Sequence, residues 1–115
     1  MDVEAAQRTG EIAGMATAVI GTGLLLAPGP VGRLAEIENP RVARAIGVTD
    51  LVIAPGLLRG RPRWPWLVAR TVANGATAAL LLSSRRPRAL ATAAALAGLT
   101  VADGRAAAVL RRAGR

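Results

Sequence analysis

Residues 41–58 read Arg41-Val-Ala-Arg44-Ala-Ile-Gly47-Val-Thr-Asp50-Leu51-Val-Ile-Ala-Pro55-Gly-Leu-Leu58, an apolar segment with an acid at its centre. The preceding Asn39-Pro40 is typical of a helix N-cap followed by proline at the first helical position, so the segment predicts a helix. Asp50 would lie about 15 Å along its axis, near the middle of a bilayer. An ionised acid there costs about 2.5–3.5 kcal/mol, so Asp50 is expected to face other helices and a cation.

Three more apolar runs lie before and after this segment, separated by short turns rich in proline and arginine. The four runs predict spans at residues 11–27, 41–58, 65–82 and 88–110, near the ~20 residues that cross about 30 Å of hydrocarbon. Pro28-Gly29-Pro30 should end the first helix, with a polar connection at residues 31–38. The sequence thus predicts an all-α fold: one domain, residues 1–115, forming an up-down bundle of four transmembrane helices.

The charge of the chain has two interpretations. The 115 residues carry a net charge of +8, and every basic residue is an arginine. In a soluble helical protein this charge would indicate nucleic-acid binding, which remains an alternative. The arginines, however, cluster between apolar runs, as the loop charges of membrane proteins do. The lipid bilayer is therefore the expected partner, and no nucleic acid is expected.

Arginine distribution also predicts an orientation in the cell membrane. Counted over the N-terminus, the middle turn and the C-terminus, one side holds eight arginines against five on the other. Because positive charge favours the cytoplasmic side, both termini of this multi-pass protein are predicted to be cytoplasmic. Trp64 and Trp66 are expected to anchor the same level at the membrane interface.

Polar residues within the predicted spans form one candidate cluster. Its predicted members are Asp50, Arg70, Asn74, Asp103 and Arg44, with Arg105 also at its edge. Arg70 is the candidate cation for Asp50, and a guanidinium can be shared by two carboxylates. Such a network either fixes the register of the helices or forms a small-molecule, quinone-head or proton site between them.

Small residues recur at helical spacing in the first and last runs. These stripes are Gly10, Gly14, Ala18 and Gly21, then Ala94, Gly98 and Ala102. Small side chains let helix backbones approach closely in a membrane. The stripes therefore predict helix contacts, including those of a homo-oligomer.

A short motif resembles a known group of proteins. It consists of Arg44-x-x-Gly47-x-x-Asp50-Leu51, a basic turn, a third apolar helix, and an acid in the last helix at Asp103-Gly104. Over residues 41–110 this pattern is similar to small four-helix bacterial inner-membrane proteins related to the DoxX-like group. The resemblance implies a four-span protein of the cell membrane, and it supplies no activity or catalytic residue.

The residue inventory limits the chemistry. The chain has no Cys, His, Lys or Tyr, so it lacks the usual general bases near neutral pH, a Schiff-base amine and a metal cluster. No catalytic residue, metal or cofactor is predicted. We expect a structural or accessory integral membrane protein, the alternatives being a membrane carrier or redox-subunit-like protein using the Asp/Arg cluster, and the soluble nucleic-acid binder.

Overall fold

The computed structural model describes residues Met1–Arg115 as five helices without a strand. The helices are α1 (Val3–Leu26), α2 (Pro28–Leu34), α3 (Pro40–Arg59), α4 (Trp64–Ser84) and α5 (Pro87–Arg112). The all-α prediction is confirmed. The Cα atoms extend over 40 × 26 × 15 Å, so the four long helices form an elongated and rather flat body.

Local capping explains where two of the long helices begin. The Asp2 carboxylate accepts a hydrogen bond from the Ala5 amide at 2.7 Å, so α1 begins well before the predicted residue 11. Asn39 accepts from the Arg41 amide at 2.9 Å, and Pro40 opens α3 as its sequence predicts. Both side chains satisfy amides that have no partner within the helix.

The connection after the first helix is where the sequence prediction of local structure was wrong. α1 does end at Leu26, before the two prolines, but Pro28 then opens the short helix α2 instead of a polar loop. Proline is tolerated in the first turn of a helix because its missing amide hydrogen would have had no partner there. The same residues that end one helix therefore begin the next.

The long helices pack as two antiparallel pairs. α1 lies along α3, and α4 lies along α5. The pairs meet mainly where α1 contacts α5, whereas the contact between α3 and α4 is the weakest of the four between neighbouring long helices. We call the end with both chain termini and the 60–63 loop the terminal end, and the opposite end the far end. One buried cluster lies at each end: Ala6, Ala13, Ile53, Leu57, Leu67, Ala106, Ala107 and Leu110 at the terminal end; Leu24, Ile37, Ala43, Ala78, Leu81, Ala89 and Ala93 at the far end.

Glycines allow α1 and α3 to approach to backbone contact. A Cβ added at Gly47 would lie 2.9 Å from the Gly21 carbonyl oxygen and 3.0 Å from the Leu25 amide nitrogen. A Cβ added at Gly21 would lie 2.9 Å from the Cβ of Asp50. The three glycines of the first small-residue stripe thus pack against residues of the same chain. Gly98, in the second stripe, has no neighbour within 4 Å, and its role in a homo-oligomer stays a prediction.

Replacing Gly47 by alanine is therefore expected to destabilise the bundle by about 1–3 kcal/mol, because backbone atoms cannot move aside as a flexible side chain would. The matched control is Gly98→Ala, which meets open space and should stabilise α5 by roughly 0.5–1 kcal/mol. Equilibrium unfolding in mixed micelles, followed by helical circular dichroism, measures both changes. Equal effects of the two substitutions would contradict the close crossing of α1 and α3.

Two of the long helices, α1 and α5, are long and apolar enough to cross a membrane. The core helices of soluble proteins and signal sequences share this property. α3 and α4 do not reach the same limits of hydropathy and charge. Length and composition thus make two helices candidates for crossing a membrane, and the predicted four transmembrane helices are not confirmed.

Candidate functional site

A buried ion pair joins α4 and α5 at mid-length. Arg70 donates from Nη1 to Oδ2 of Asp103 at 2.6 Å, and their side chains are 9% and 2% exposed. Asn74, one turn further along α4, donates to the same oxygen at 3.4 Å. The turn between the helices is short, and both charged residues lie at nearly equal distance from it, so antiparallel packing brings them together.

Asp50 is not the partner of Arg70 that the sequence predicted. None of the five ion pairs in the structure includes Asp50, and no donor hydrogen-bonds to its carboxylate. The reason is that α4 packs closely on α5 and only loosely on α3. Asp50 is half-buried above Gly21, beside the same cavity as Arg70 and Asn74.

The two arginines placed at the edge of the cluster lie elsewhere. Arg44 and Arg105 are both exposed, and neither forms an ion pair. Arg44 is four residues into α3, on a different side of that helix from Asp50. The cluster therefore consists of Asp50, Arg70, Asn74 and Asp103, and the inclusion of Arg44 was wrong.

A groove opens beside this cluster, where the helix pairs diverge toward the far end. Its volume is about 490 Å³. Its lining residues come from all four long helices and the segment after α2: Thr17, Ile20, Leu24, Ala35, Ile37, Val42, Ala45, Ile46, Thr49, Asp50, Arg70, Ala73, Asn74, Ala76, Thr77, Leu81, Thr92, Leu96 and Leu99. Most are apolar, so the groove has a hydrocarbon body with polar groups at one place, as small-molecule pockets do.

A charged clasp of Arg86, Glu36 and Glu38 lies at the far end of the bundle. Arg86, in the turn between α4 and α5, donates to Glu38 at 2.7 Å, to the Glu36 carboxylate at 3.3 Å, and to the Glu36 carbonyl at 2.8 Å. These bonds hold the α2–α3 connection against the α4–α5 turn, with Ile37 buried beneath them. Sequence reasoning missed this contact, although the two turns carry opposite charge and lie at the same end of an up-down bundle.

A different set of contacts organises the terminal end. Arg63 donates to the side-chain and backbone oxygens of Gln7 and to the Leu58 carbonyl, and its backbone amide donates to the Arg115 carbonyl at 2.6 Å. A polar hollow of about 670 Å³ lies beside this loop. It is lined only by Gln7, Glu11, Gly60, Arg61, Pro62, Arg63, Gly114 and Arg115, so it has no apolar body to hold a lipophilic group.

The two tryptophans also lie at the terminal end, and both are half-buried. Trp66 packs on α3 so closely that a Cβ at Gly56 or Gly60 would overlap its ring. The guanidinium of Arg111 stacks on Trp64, 5.3 Å from the ring centroid. Their position at one end of the bundle suits interface anchors, and Trp66 additionally packs α4 against α3.

The fold and the cluster define a small all-helical protein with a buried, mid-length ion pair and an apolar groove beside an unpaired carboxylate. Comparison with family models, with curated proteins and with solved structures finds no match to this chain. The resemblance to the DoxX-like group therefore stays a prediction.

Proposed function

We propose that the chain is a small integral membrane protein in which all four long helices span the bilayer. The observation that carries this proposal is the distribution of its exposed apolar side chains. Large apolar residues face outward on every long helix: Ile12, Met15, Val19 and Leu26 on α1; Val48, Val52 and Leu58 on α3; Val68, Val72, Leu80 and Leu82 on α4; Leu90 and Val101 on α5. Soluble monomers rarely expose apolar surface so continuously.

We call these outward apolar residues the apolar belt, and the positions of the charged residues agree with it. Between the charged ends of the four long helices, the charged residues are Asp50, Arg70 and Asp103. Arg70 and Asp103 are buried and Asp50 lies on the groove, so none of them faces outward from the belt. Intramembrane charges face the interior of a bundle in this way because hydrocarbon solvates them poorly.

The belt is short for a bilayer. The stretches without outward charge run over residues 12–26, 45–58, 64–84 and 89–104. At 1.5 Å per residue those of α1, α3 and α5 measure roughly 21–24 Å, against about 30 Å of hydrocarbon, and only that of α4, at roughly 32 Å, reaches this thickness. Arginines at the edges, such as Arg44 and Arg105, can extend their charged groups to the interface while their stems stay in hydrocarbon. Local thinning of the bilayer accommodates the remainder.

Nucleic-acid binding is supported less well. Apart from Arg70, the arginines lie at the two ends of a body 40 Å long, eight at the terminal end and six at the far end. A nucleic-acid backbone requires a continuous basic surface, and the apolar belt separates these two groups. The larger number of arginines at the terminal end supports the proposal that this end, with both termini, is cytoplasmic.

Cysteine mapping can test the number of spans, because the natural chain has no cysteine and gives no background. Single variants Asp2→Cys, Arg61→Cys, Ser83→Cys and Gly114→Cys would be expressed in a bacterial host and treated with a membrane-impermeant maleimide. Four spans predict that positions 2, 61 and 114 react on one side and position 83 on the other. The membranes would also be washed with alkaline carbonate, which removes peripheral proteins.

The side on which a cysteine at position 61 reacts distinguishes four spans from two. If only α1 and α5 spanned, residues 61 and 83 would lie on the same side, opposite the termini, and the four-span proposal would fail. Release of the protein by carbonate would contradict membrane insertion altogether and make a nucleic-acid binding assay the next experiment. The unmodified chain serves as the unlabelled control.

Within the membrane, we propose an accessory role as the primary function, and the groove favours a second candidate, the binding or carrying of a lipophilic small molecule. Its volume of about 490 Å³ falls within the roughly 300–1,000 Å³ of small-molecule pockets. A purely structural bundle would gain stability by filling this space, since close packing is the normal state of a helical interior. The groove is thus the feature that a structural role alone does not explain.

A further inference from the structure

The groove presents a carboxylate that forms no ion pair with a protein group. Arg70 and Asp103 offset each other through their ion pair, whereas Asp50 has no ion pair and accepts no hydrogen bond. One arginine and two aspartates therefore leave one uncompensated negative charge beside the groove when all three are ionised. In hydrocarbon such a charge is costly unless a cation meets it.

Several neutral polar groups of the groove also offer acceptor oxygens. The hydroxyls of Thr49 and Thr77 already donate to the carbonyls of Ala45 and Ala73, at 2.9 and 3.0 Å. Only their oxygen lone pairs remain for a ligand. Asn74 donates one amide hydrogen to Asp103, which leaves its side-chain carbonyl and its second amide hydrogen free. The donors of a ligand can therefore bind these oxygens while its charged group meets Asp50.

We propose that the groove binds a lipophilic amine, a monocation whose ammonium hydrogens donate to Asp50 and whose apolar body fills the space toward Leu24 and Leu81. Both the charge and the arrangement of acceptors complement this class of ligand. The inference rests on the proposed membrane location, because such a molecule concentrates in the bilayer and enters between α3 and α4, which of the four neighbouring pairs of long helices make the weakest contact.

The lining also distinguishes between kinds of cation. Quaternary ammonium groups are typically held by aromatic faces. No aromatic residue lines this groove, and both tryptophans lie at the terminal end. Recognition must therefore come from hydrogen bonds to Asp50 and its neighbours, which a quaternary nitrogen cannot donate. A protonated amine should bind more tightly than its trimethylated analogue.

Four probes that share one apolar body test the proposal: 1-adamantylamine, 1-adamantyltrimethylammonium, 1-adamantylmethanol and adamantane-1-carboxylate. The full chain would be placed in lipid nanodiscs, and binding would be measured by calorimetry with empty nanodiscs subtracted. We expect saturable one-to-one binding of the amine. The trimethylated cation and the alcohol should bind with an affinity about tenfold or more lower, because each lacks a charged donor. The carboxylate should show no saturable binding.

Three variants locate the site. Asp50→Asn keeps the shape of the side chain but removes its charge, and should weaken amine binding about tenfold or more. Ala45→Phe keeps Asp50 and fills the exposed part of the groove, so it should abolish binding while the protein stays helical. Glu4→Gln, at the terminal end and paired only with Arg8 on the surface, should leave binding unchanged.

Equal affinity for the amine and the carboxylate, or full affinity in both Asp50→Asn and Ala45→Phe, would overturn the proposal. A signal no larger than that of empty nanodiscs, in a protein that cysteine mapping shows to span four times, would overturn the amine inference alone. A two-span result in that mapping would instead refute the proposed function itself. The two failures are therefore distinguishable.

Discussion

Replacing Arg70 by methionine is expected to lower the free energy of unfolding by about 3–5 kcal/mol. Methionine fills a similar space, but it leaves Asp103 without its charged partner in a position where the side chain is 2% exposed. The remaining donor, Asn74, lies at 3.4 Å and makes only a long hydrogen bond. An uncompensated buried carboxylate dominates the expected loss.

The double variant Arg70→Met/Asp103→Leu should regain most of that stability, because removing both partners leaves no unpaired charge. Unfolding by sodium dodecyl sulfate in mixed micelles, followed by helical circular dichroism, gives the four free energies of a double-mutant cycle. Arg44→Met is the matched control at an exposed position and should change stability by no more than about 0.5 kcal/mol. Additive losses in the cycle would show that the pair is not coupled as the structure has it.

The same double variant tests whether the Arg70–Asp103 pair itself contacts the ligand. If Arg70 and Asp103 only fix the register of α4 on α5, the double variant should still bind the lipophilic amine through Asp50. If Arg70 also sets the charge balance of the groove, its removal with Asp103 leaves that balance unchanged, and amine binding again persists. Loss of binding in a stable double variant would show that the pair contacts the ligand directly.

The long helices could be predicted from sequence because their signals are local. Asn39-Pro40 caps α3, and Pro87 opens α5 within a residue or two of the predicted boundaries. Apolar runs between arginine-rich turns give the remaining helices without knowledge of tertiary contacts. α2 was missed because Pro28-Gly29-Pro30 is typical of both a stop and a start, and only the following turn of helix distinguishes them.

The members of the polar cluster could be named from sequence, but their partners could not. An ionisable residue in an apolar run must be buried with others, which identifies Asp50, Arg70 and Asp103. Which acid pairs with Arg70 depends on which helices pack closely, and that depends on how well the helix surfaces fit each other. Because α4 packs closely on α5, Arg70 forms its ion pair with Asp103, and Asp50 faces the groove without a partner.

The groove itself has no sequence signal. It exists because α1 and α3 meet closely at Gly21 and Gly47, while α3 and α4 remain apart. The glycine spacing on α1 indicated a close contact with another helix but not which one. In the structure that helix is α3 of the same chain. The clasp of Arg86 on Glu36 and Glu38 likewise depends on two turns that are distant in sequence.

Charged substitutions on the outward face of α3 and α4 should distinguish lipid from water. Val52 and Val72 are 62% and 67% exposed, near the middle of the two helices whose membrane span is proposed. In lipid, Val52→Asp or Val72→Asp should each cost about 2.5–3.5 kcal/mol. In water, either change at such an exposed position should stay within about 0.5 kcal/mol. Leu34→Asp, on α2 outside the belt and 85% exposed, is the neutral control.

Val19→Asp provides the internal standard, because Val19 is equally outward on α1, a helix already apolar enough to span. The measurements are the carbonate-resistant fraction and the free energy of unfolding in mixed micelles. Similar losses at positions 19, 52 and 72 support four spans, whereas a loss at position 19 alone contradicts them. α3 carries a natural acid at position 50, two residues and about 200° around the helix from Val52. If Asp50 is tolerated and Val52→Asp is not, the difference arises from which side of α3 faces lipid.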